Sequence, residues 1–203
     1  MVRRSVLAMF AVMAVVLGCV VASTPAGAVV DRAVVVPSPN VGADDNYLNS
    51  VSCVSASECV AVGSTQIGFV IETLVLVWDG IEWSIVSSPN AGTSNDQLRS
   101  VSCVSTSECV AVGYARTEDD VYETLVLVWD GIEWSIVPSP NAGTIDDQLF
   151  SVSCVSVSDC VAVGSTNNGS DTETLVLAMT GPVSPPTTTT TGSSTPVVPT
   201  FTG

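Results

Sequence analysis

Ser100-Val101-Ser102-Cys103-Val104-Ser105-Thr106-Ser107-Glu108-Cys109-Val110-Ala111-Val112-Gly113 decides how this chain is read, because the same pattern is written three times. It begins also at Ser50, with Cys53 and Cys59, and at Ser151, with Cys154 and Cys160. The leading cysteines lie 50 residues (53 to 103) and 51 residues (103 to 154) apart. Such a period marks a repeat architecture, in which one supersecondary unit stacks on its neighbours. Residues common to every copy build the unit. Function is sought where the copies differ.

Within the second copy, Leu98–Val104 alternates as a half-buried strand, Ser105-Thr106-Ser107-Glu108 turns the chain, and Cys109–Gly113 returns. The two cysteines face one another across that turn. Cys53–Cys59, Cys103–Cys109 and Cys154–Cys160 are therefore expected disulfides, each stabilising by about 2 kcal/mol on the chain-entropy model. Metal ligation fits poorly, since the chain has no histidine and the C-x5-C spacing is not that of zinc sites. The third run, Thr124–Trp129, is apolar on both faces and reads as a central strand. Asp130-Gly131 then signals a two-residue hairpin, which sets Trp129 opposite Ile132 and Leu127 opposite Trp134. Both indoles fall on one face, as do Trp78 and Trp83, and their identical placement assigns them to packing rather than carbohydrate stacking. Pro138-Ser139-Pro140-Asn141 ends the sheet, because proline cannot donate to an interior ladder.

Four antiparallel strands per unit predict an all-β protein built of β-propeller blades. The repeats span about 41–90, 91–141 and 142–181 within a β domain at 29–181. Phase is informative. Residues 33–40 match the end of a fourth strand, whereas the third copy stops after its third, Thr174–Met179, so 33–40 reads as a displaced fourth strand. Three blades are too few for a ring of the usual 4–8. A homodimer completing a six-bladed ring, a fragment of a longer array and a β-trefoil are the alternatives; alternation, stapling and phase favour blades.

The motifs S-V-S-C-x5-C-V-A-V-G, E-T-L-V-L-V-W-D-G-x-x-W and S-P-N together resemble the repeat of secreted bacterial β-propeller-like proteins, relatives of the kelch and sialidase-type propellers. The resemblance covers about residues 33–181 and implies a fold without naming an activity. A kelch-type copper oxidase would need histidine ligands, which are missing. A sialidase would need an arginine cluster, whereas Arg32, Arg99 and Arg116 occupy unrelated places in the repeat.

The ends speak of export. Arg3-Arg4, an apolar run from Val6 to Val21, and Ala26-Gly27-Ala28 read as a secretory signal peptide at 1–28. A lipoprotein reading at Cys19 ranks second, because Val20 and Val21 follow the cysteine. Cleavage leaves 3 Arg against 20 Asp plus Glu, a net charge of −17. That surface repels nucleic acid and anionic membranes. Residues 182–203, with Pro185-Pro186 and Thr187–Thr191, have the composition of a disordered tail suited to cell-surface tethering. The expected location is extracellular.

One end of such a stack collects Asp44, Asp45, Asn46, Asn95, Asp96, Asp146 and Asp147. It also collects the variable loops Ser64–Ile71, Tyr114–Tyr122 and Ser165–Thr172, with Glu118, Asp119 and Asp120. Clustered carboxylate and amide oxygens suit a weak Ca²⁺ site, although Asn, Asp and Gly are also turn formers. No other cofactor is implied. With no histidine and no Gly-rich phosphate loop, catalysis is not expected. The sequence thus leads to an exported, non-catalytic binding or surface-interaction module with an unidentified protein or glycan partner. The alternative is a carbohydrate-binding or glycoside-hydrolase-like propeller domain.

Overall fold

The structure, a computed structural model, describes residues 33–181; the expected signal segment 1–28 and tail 182–203 lie outside the described residues. The chain divides into two units at Val35/Val36, and every strand lies in the second. Among the described residues there are eleven strands and no helix. The first copy supplies β1 (Asn46–Ser55), β2 (Glu58–Ile67), β3 (Val70–Trp78) and β4 (Trp83–Val86). The second supplies β5 (Asp96–Ser105), β6 (Glu108–Arg116), β7 (Tyr122–Trp129) and β8 (Trp134–Ile136). The third supplies β9 (Asp146–Ser156), β10 (Asp159–Asn167) and β11 (Thr172–Thr180).

Strands β1-β2-β3-β4 form one antiparallel sheet in chain order. The other seven strands run β11-β10-β9-β7-β6-β5, with β8 paired to β7. Within it, β9 meets β7 through one parallel pair, Tyr122↔Asp146. The corresponding residues Ile71 and Asn95 make an isolated parallel bridge between the first and second copies. Each copy is thus an antiparallel meander whose β-pairing to the next is a single parallel residue pair. The strands described form two open sheets; sequential hairpins pair first because their connections are short. Among the described residues, 33–40 carry no strand assignment and β11 pairs with β10 alone.

Three cysteine pairs bridge at S–S distances of 2.00, 2.06 and 2.07 Å, across the tight turns of β1–β2, β5–β6 and β9–β10. The D-G hairpin differs from expectation. Trp129 pairs with Trp134 and Leu127 with Ile136, which leaves a four-residue loop, Asp130–Glu133. The Asp130 carboxylate accepts N–H bonds from Ile132 (2.8 Å) and Glu133 (2.9 Å), closing a wider turn than two residues allow. Asp79 does the same for Ile81 and Glu82. The variable loops are also shorter than the sequence suggests. The ladder runs out to Ile67↔Val70, Arg116↔Tyr122 and Asn167↔Thr172, so most of each segment is strand.

Alternation gives each sheet two apolar faces, and neighbouring copies cover them. Val62 and Val75 of the first copy pack on Leu98, Val101, Ala111, Leu125 and Leu127 of the second. Val110, Val112 and Val126, on the opposite face of the second, pack on Leu149, Val152, Ala162, Leu175 and Leu177 of the third. The serines of the repeated motif fix how these faces meet. Ser50 Oγ accepts the Val101 N–H (3.3 Å) and Ser52 Oγ that of Cys103 (3.0 Å). Ser100 and Ser102 accept from Val152 and Cys154, both at 3.1 Å. The free edges of β5 and β9 are thereby met by side chains of the preceding copy.

A bulge interrupts each first strand, between Leu48 and Ser50, between Leu98 and Ser100, and between Leu149 and Ser151. The partner strand carries glycine there. A Cβ on Gly113 would stand 1.8 Å from the Gln97 carbonyl oxygen, and Gly63 and Gly164 are placed alike. Gly113→Ala should therefore cost about 3 kcal/mol or more in urea unfolding, as backbone strain in a packed core does. Ser100→Ala, which removes one acceptor from a buried N–H, should cost about 1–2 kcal/mol. Equal and small effects of both changes would contradict this packing.

Candidate functional site

The acidic residues singled out in the sequence lie along one edge of the stacked sheets, at the starts of first strands and in the loops beside them, and most of their oxygens are engaged. Asn46 and Asp96 open the first strands of their copies, and Asp147, at the equivalent position, is second in β9. Asn46 Oδ1 accepts the Val41 N–H at 2.9 Å. The Asp96 carboxylate accepts from Gly92 (2.9 and 3.1 Å), and Asp147 from Ala142 and Gly143. Both aspartates are 2% exposed. They anchor the loop between copies by replacing its missing backbone partners.

The remaining candidates also serve the turns. Asp44 accepts the Gly68 N–H and Asp45 the Tyr47 hydroxyl. Asn95 donates to the Tyr122 hydroxyl and accepts from Gln97 Nε2. Asp146 accepts the Tyr122 N–H. Asp120, the one non-glycine residue with positive φ among those described, pairs with Arg116. Glu118 and Asp119 are exposed and isolated. Among the described residues no three Asp, Glu, Cys or His side chains converge. Backbone N–H groups hold oxygens of Asp44, Asn46, Asp96, Asp146 and Asp147 in these loops.

The tryptophans hold the opposite end. Trp78 and Trp83 lie 5.6 Å apart between ring centroids, and Trp129 and Trp134 5.7 Å. The indole N–H of Trp78 donates to the Ala56 carbonyl and that of Trp129 to the Thr106 carbonyl. Each pair therefore ties the four-residue loop to the disulfide turn. Two N–H bonds, from Glu82 and Ile81 to Asp79 and from Glu133 and Ile132 to Asp130, hold these carboxyls below the usual range.

A different feature stands out where the copies diverge. Tyr47, Asn49, Ser64, Gln66, Ile71, Gln97 and Arg99 line a cleft of about 210 Å³ between the first and second copies. Asn49 and Arg99 are the bulged residues of β1 and β5, turned out of the ladder by the extra residue. Asn49 also donates to the Leu98 carbonyl at 2.8 Å, tying the two bulges together. Between the second and third copies the matching positions are filled. Tyr114 and Tyr122 replace Ser64 and Ile71 and pack edge to face at 5.2 Å, with Arg116 over the Tyr122 ring. Burial pushes the Tyr114 hydroxyl up, while the charge of Arg99 draws it back down. The cleft is thus open where the side chains are small and closed where they are aromatic.

No acid lines this cleft, although the chain has 20. The two arginines among the described residues behave differently. Arg116 is bound to Asp120, whereas Arg99 has neither an ion-pair nor a hydrogen-bond partner among the described residues. Sequence reading passed over Arg99, Asn49 and Tyr47, because their meeting requires two first strands to lie side by side. Aligning the copies column by column carries a trace of it, in Asn49/Arg99/Phe150 and Ser64/Tyr114/Ser165.

The loop anchors are testable through pH. Burial, together with the nearby charge of Glu72, pushes the Asp96 carboxyl up, against N–H bonds from Gly92 and Ala91 that draw it down. Its contribution to stability is full below the unfolded carboxyl value and is lost as pH rises through the folded one. Asp96→Asn, which copies Asn46, should keep the loop and remove that loss, so its advantage over wild type grows from pH 3 to 7. Asp96→Ala should be less stable by about 1–3 kcal/mol at every pH. Urea titrations across that range measure both.

No protein-family model and no curated protein matches the chain. Among solved structures, YCF48 bound to a D1 peptide is similar over 63% of this chain, with a TM-score of 0.39 and 15% identity. The match covers 39% of the YCF48 chain. It is a distant, propeller-like neighbour. The three disulfides are consistent with an oxidising, extracellular environment.

Proposed function

We propose that the protein is an exported, non-catalytic binding module built of propeller-type blades, which recognises a ligand through the cleft at Arg99. One observation carries this reading. The only described cation without a partner sits in a cleft that is free of acids and lined by amides and hydroxyls, on a chain that is otherwise strongly acidic.

An unpaired guanidinium flanked by neutral hydrogen-bonding groups suits a carboxylate, which it grips with two parallel N–H bonds. Asn49, Gln66 and Gln97 provide donors and acceptors for the polar groups beside it. The acidic surroundings filter what arrives. Beyond about 8 Å in physiological salt their field is screened, so a short-range Arg pair survives. A cleft of this size admits one side-chain-sized group, so the ligand is expected to present a carboxylate on a larger peptide or glycan. The non-catalytic reading rests on the missing histidine and on carboxylates committed to loop backbone.

Arrays of neutral and carboxylate-bearing peptides and glycans test the proposal. Binding should select carboxylate-bearing members. Arg99→Gln should weaken it at least about tenfold, or ~1.4 kcal/mol, with unchanged thermal unfolding. Equal binding by the variant would remove the cleft from consideration, and turnover of any bound glycan would end the non-catalytic reading.

A further inference from the structure

The two ends of the stack are unlike each other, and each matches a surface buried inside it. At one end the face of the third copy is open. Val176 is 65% exposed, while its counterparts Val75 and Val126 are 0% and 2%. Val161 and Val163 are exposed beside it, whereas Val110 and Val112 are buried. At the other end Val51 is 59% exposed against 5% for Val101, and Leu48 is exposed where Leu98 and Leu149 are buried. One end therefore presents the valine face, and the other the leucine face that it covers between copies.

The polar groups are complementary in the same sense. Ser151 and Ser153 stand exposed where Ser50, Ser52, Ser100 and Ser102 accept N–H groups from the following copy. Among the described residues, the N–H groups of Val51 and Cys53, counterparts of Val101 and Cys103, have no serine in front of them. A third pair of halves is split between the ends. Thr73 is clasped by Ser88 Oγ (2.8 Å) and by Asn90 Oδ1 on its N–H (2.8 Å), and Thr124 likewise by Ser139 and Asn141. Thr174 has no such clasp among the described residues, and Ser38-Pro39-Asn40 has no such threonine. Val36 and Ser38 already lie along Leu48, Val51, Ala61 and Trp83, beside a groove of about 390 Å³. Between the first and second copies the corresponding place is occupied by Val86, with Val62 and Val75.

We infer that two copies of this chain associate head to tail and reciprocally. The Val161/Val163/Val176 face of each seats on the Leu48/Val51 face of the other, and its Val36–Asn40 segment supplies the strand missing beside β11. The register follows from the internal pairs. Val75 pairs with Val86, and Val137 N–H bonds the Val126 carbonyl, so Val36 of one copy falls opposite Val176 of the other. Ser38 and Asn40 then clasp Thr174, and Ser151 and Ser153 accept from Val51 and Cys53. Both junctions form at once, so association closes at two copies and six sheets, within the range of closed rings. The ring rests on the blade reading proposed for the repeats. It is independent of the ligand assigned to Arg99.

Light scattering on the full secreted chain at tens of micromolar should give twice the chain mass. Val176→Asp, at an exposed position, should give a monomer with unchanged far-UV circular dichroism and disulfide content. Mixing a Val36→Cys chain with a Val176→Cys chain should produce a disulfide-linked pair, absent when either is oxidised alone. A wild-type monomer overturns the proposal. So does an open polymer, a dimer indifferent to Val176→Asp, or a pair that fails to cross-link. Arg99→Gln should remain dimeric, so a monomer that still shows Arg99-dependent binding refutes the ring and leaves the binding reading standing.

Discussion

A serine hydroxyl on the face of one sheet accepting a backbone N–H from the edge of the next is the contact on which the rest of the structure depends. Apolar faces attract one another without direction. Stacking them brings the free edge of each first strand out of water, and an N–H left unpaired there costs about 1–3 kcal/mol. Ser50, Ser52, Ser100 and Ser102 remove that cost, and their alternation with the buried valines allows only one offset between copies. The motif that repeats most insistently thus does two jobs. Its cysteines close the hairpin, and its serines set the hairpin against its neighbour.

The candidate cleft follows from the same geometry. Because first strands lie side by side, a bulge in each carries Asn49 and Arg99 to the same seam between copies. The glycine opposite each bulge lets the backbones approach, and no other residue fits there. What varies is the filling. Tyrosines close the second seam, and Ser64 with Ile71 leaves the first one open, so two substitutions in a repeated scaffold decide where a ligand is admitted.

Much of the strand layout was legible in the residues. Period-2 alternation, the C-x5-C staple and the S-P-N stop gave strand order and pairing, because each is a local rule with a fixed reach. Turn widths were less so. The D-G hairpins hold four residues because the Asp side chain competes for N–H groups, and the segments at Tyr114–Tyr122 continue as strand because their ladder is extended by cross-strand partners. The acidic residues were legible as a group, but their roles were not. Composition located Asp96 and Asp147, and only their burial against Gly92 and Gly143 separates a loop anchor from a cation ligand.

By itself the sequence determined the repeat, its strands, its disulfides and the phase mismatch between its ends, since all of these are set by spacing along the chain. Tertiary structure decided which serine meets which N–H, which carboxylates are engaged, and that Arg99 faces Tyr47 and Asn49 across a seam. Those partners are about 50 residues apart, and spacing along the chain does not encode contact between stacked sheets.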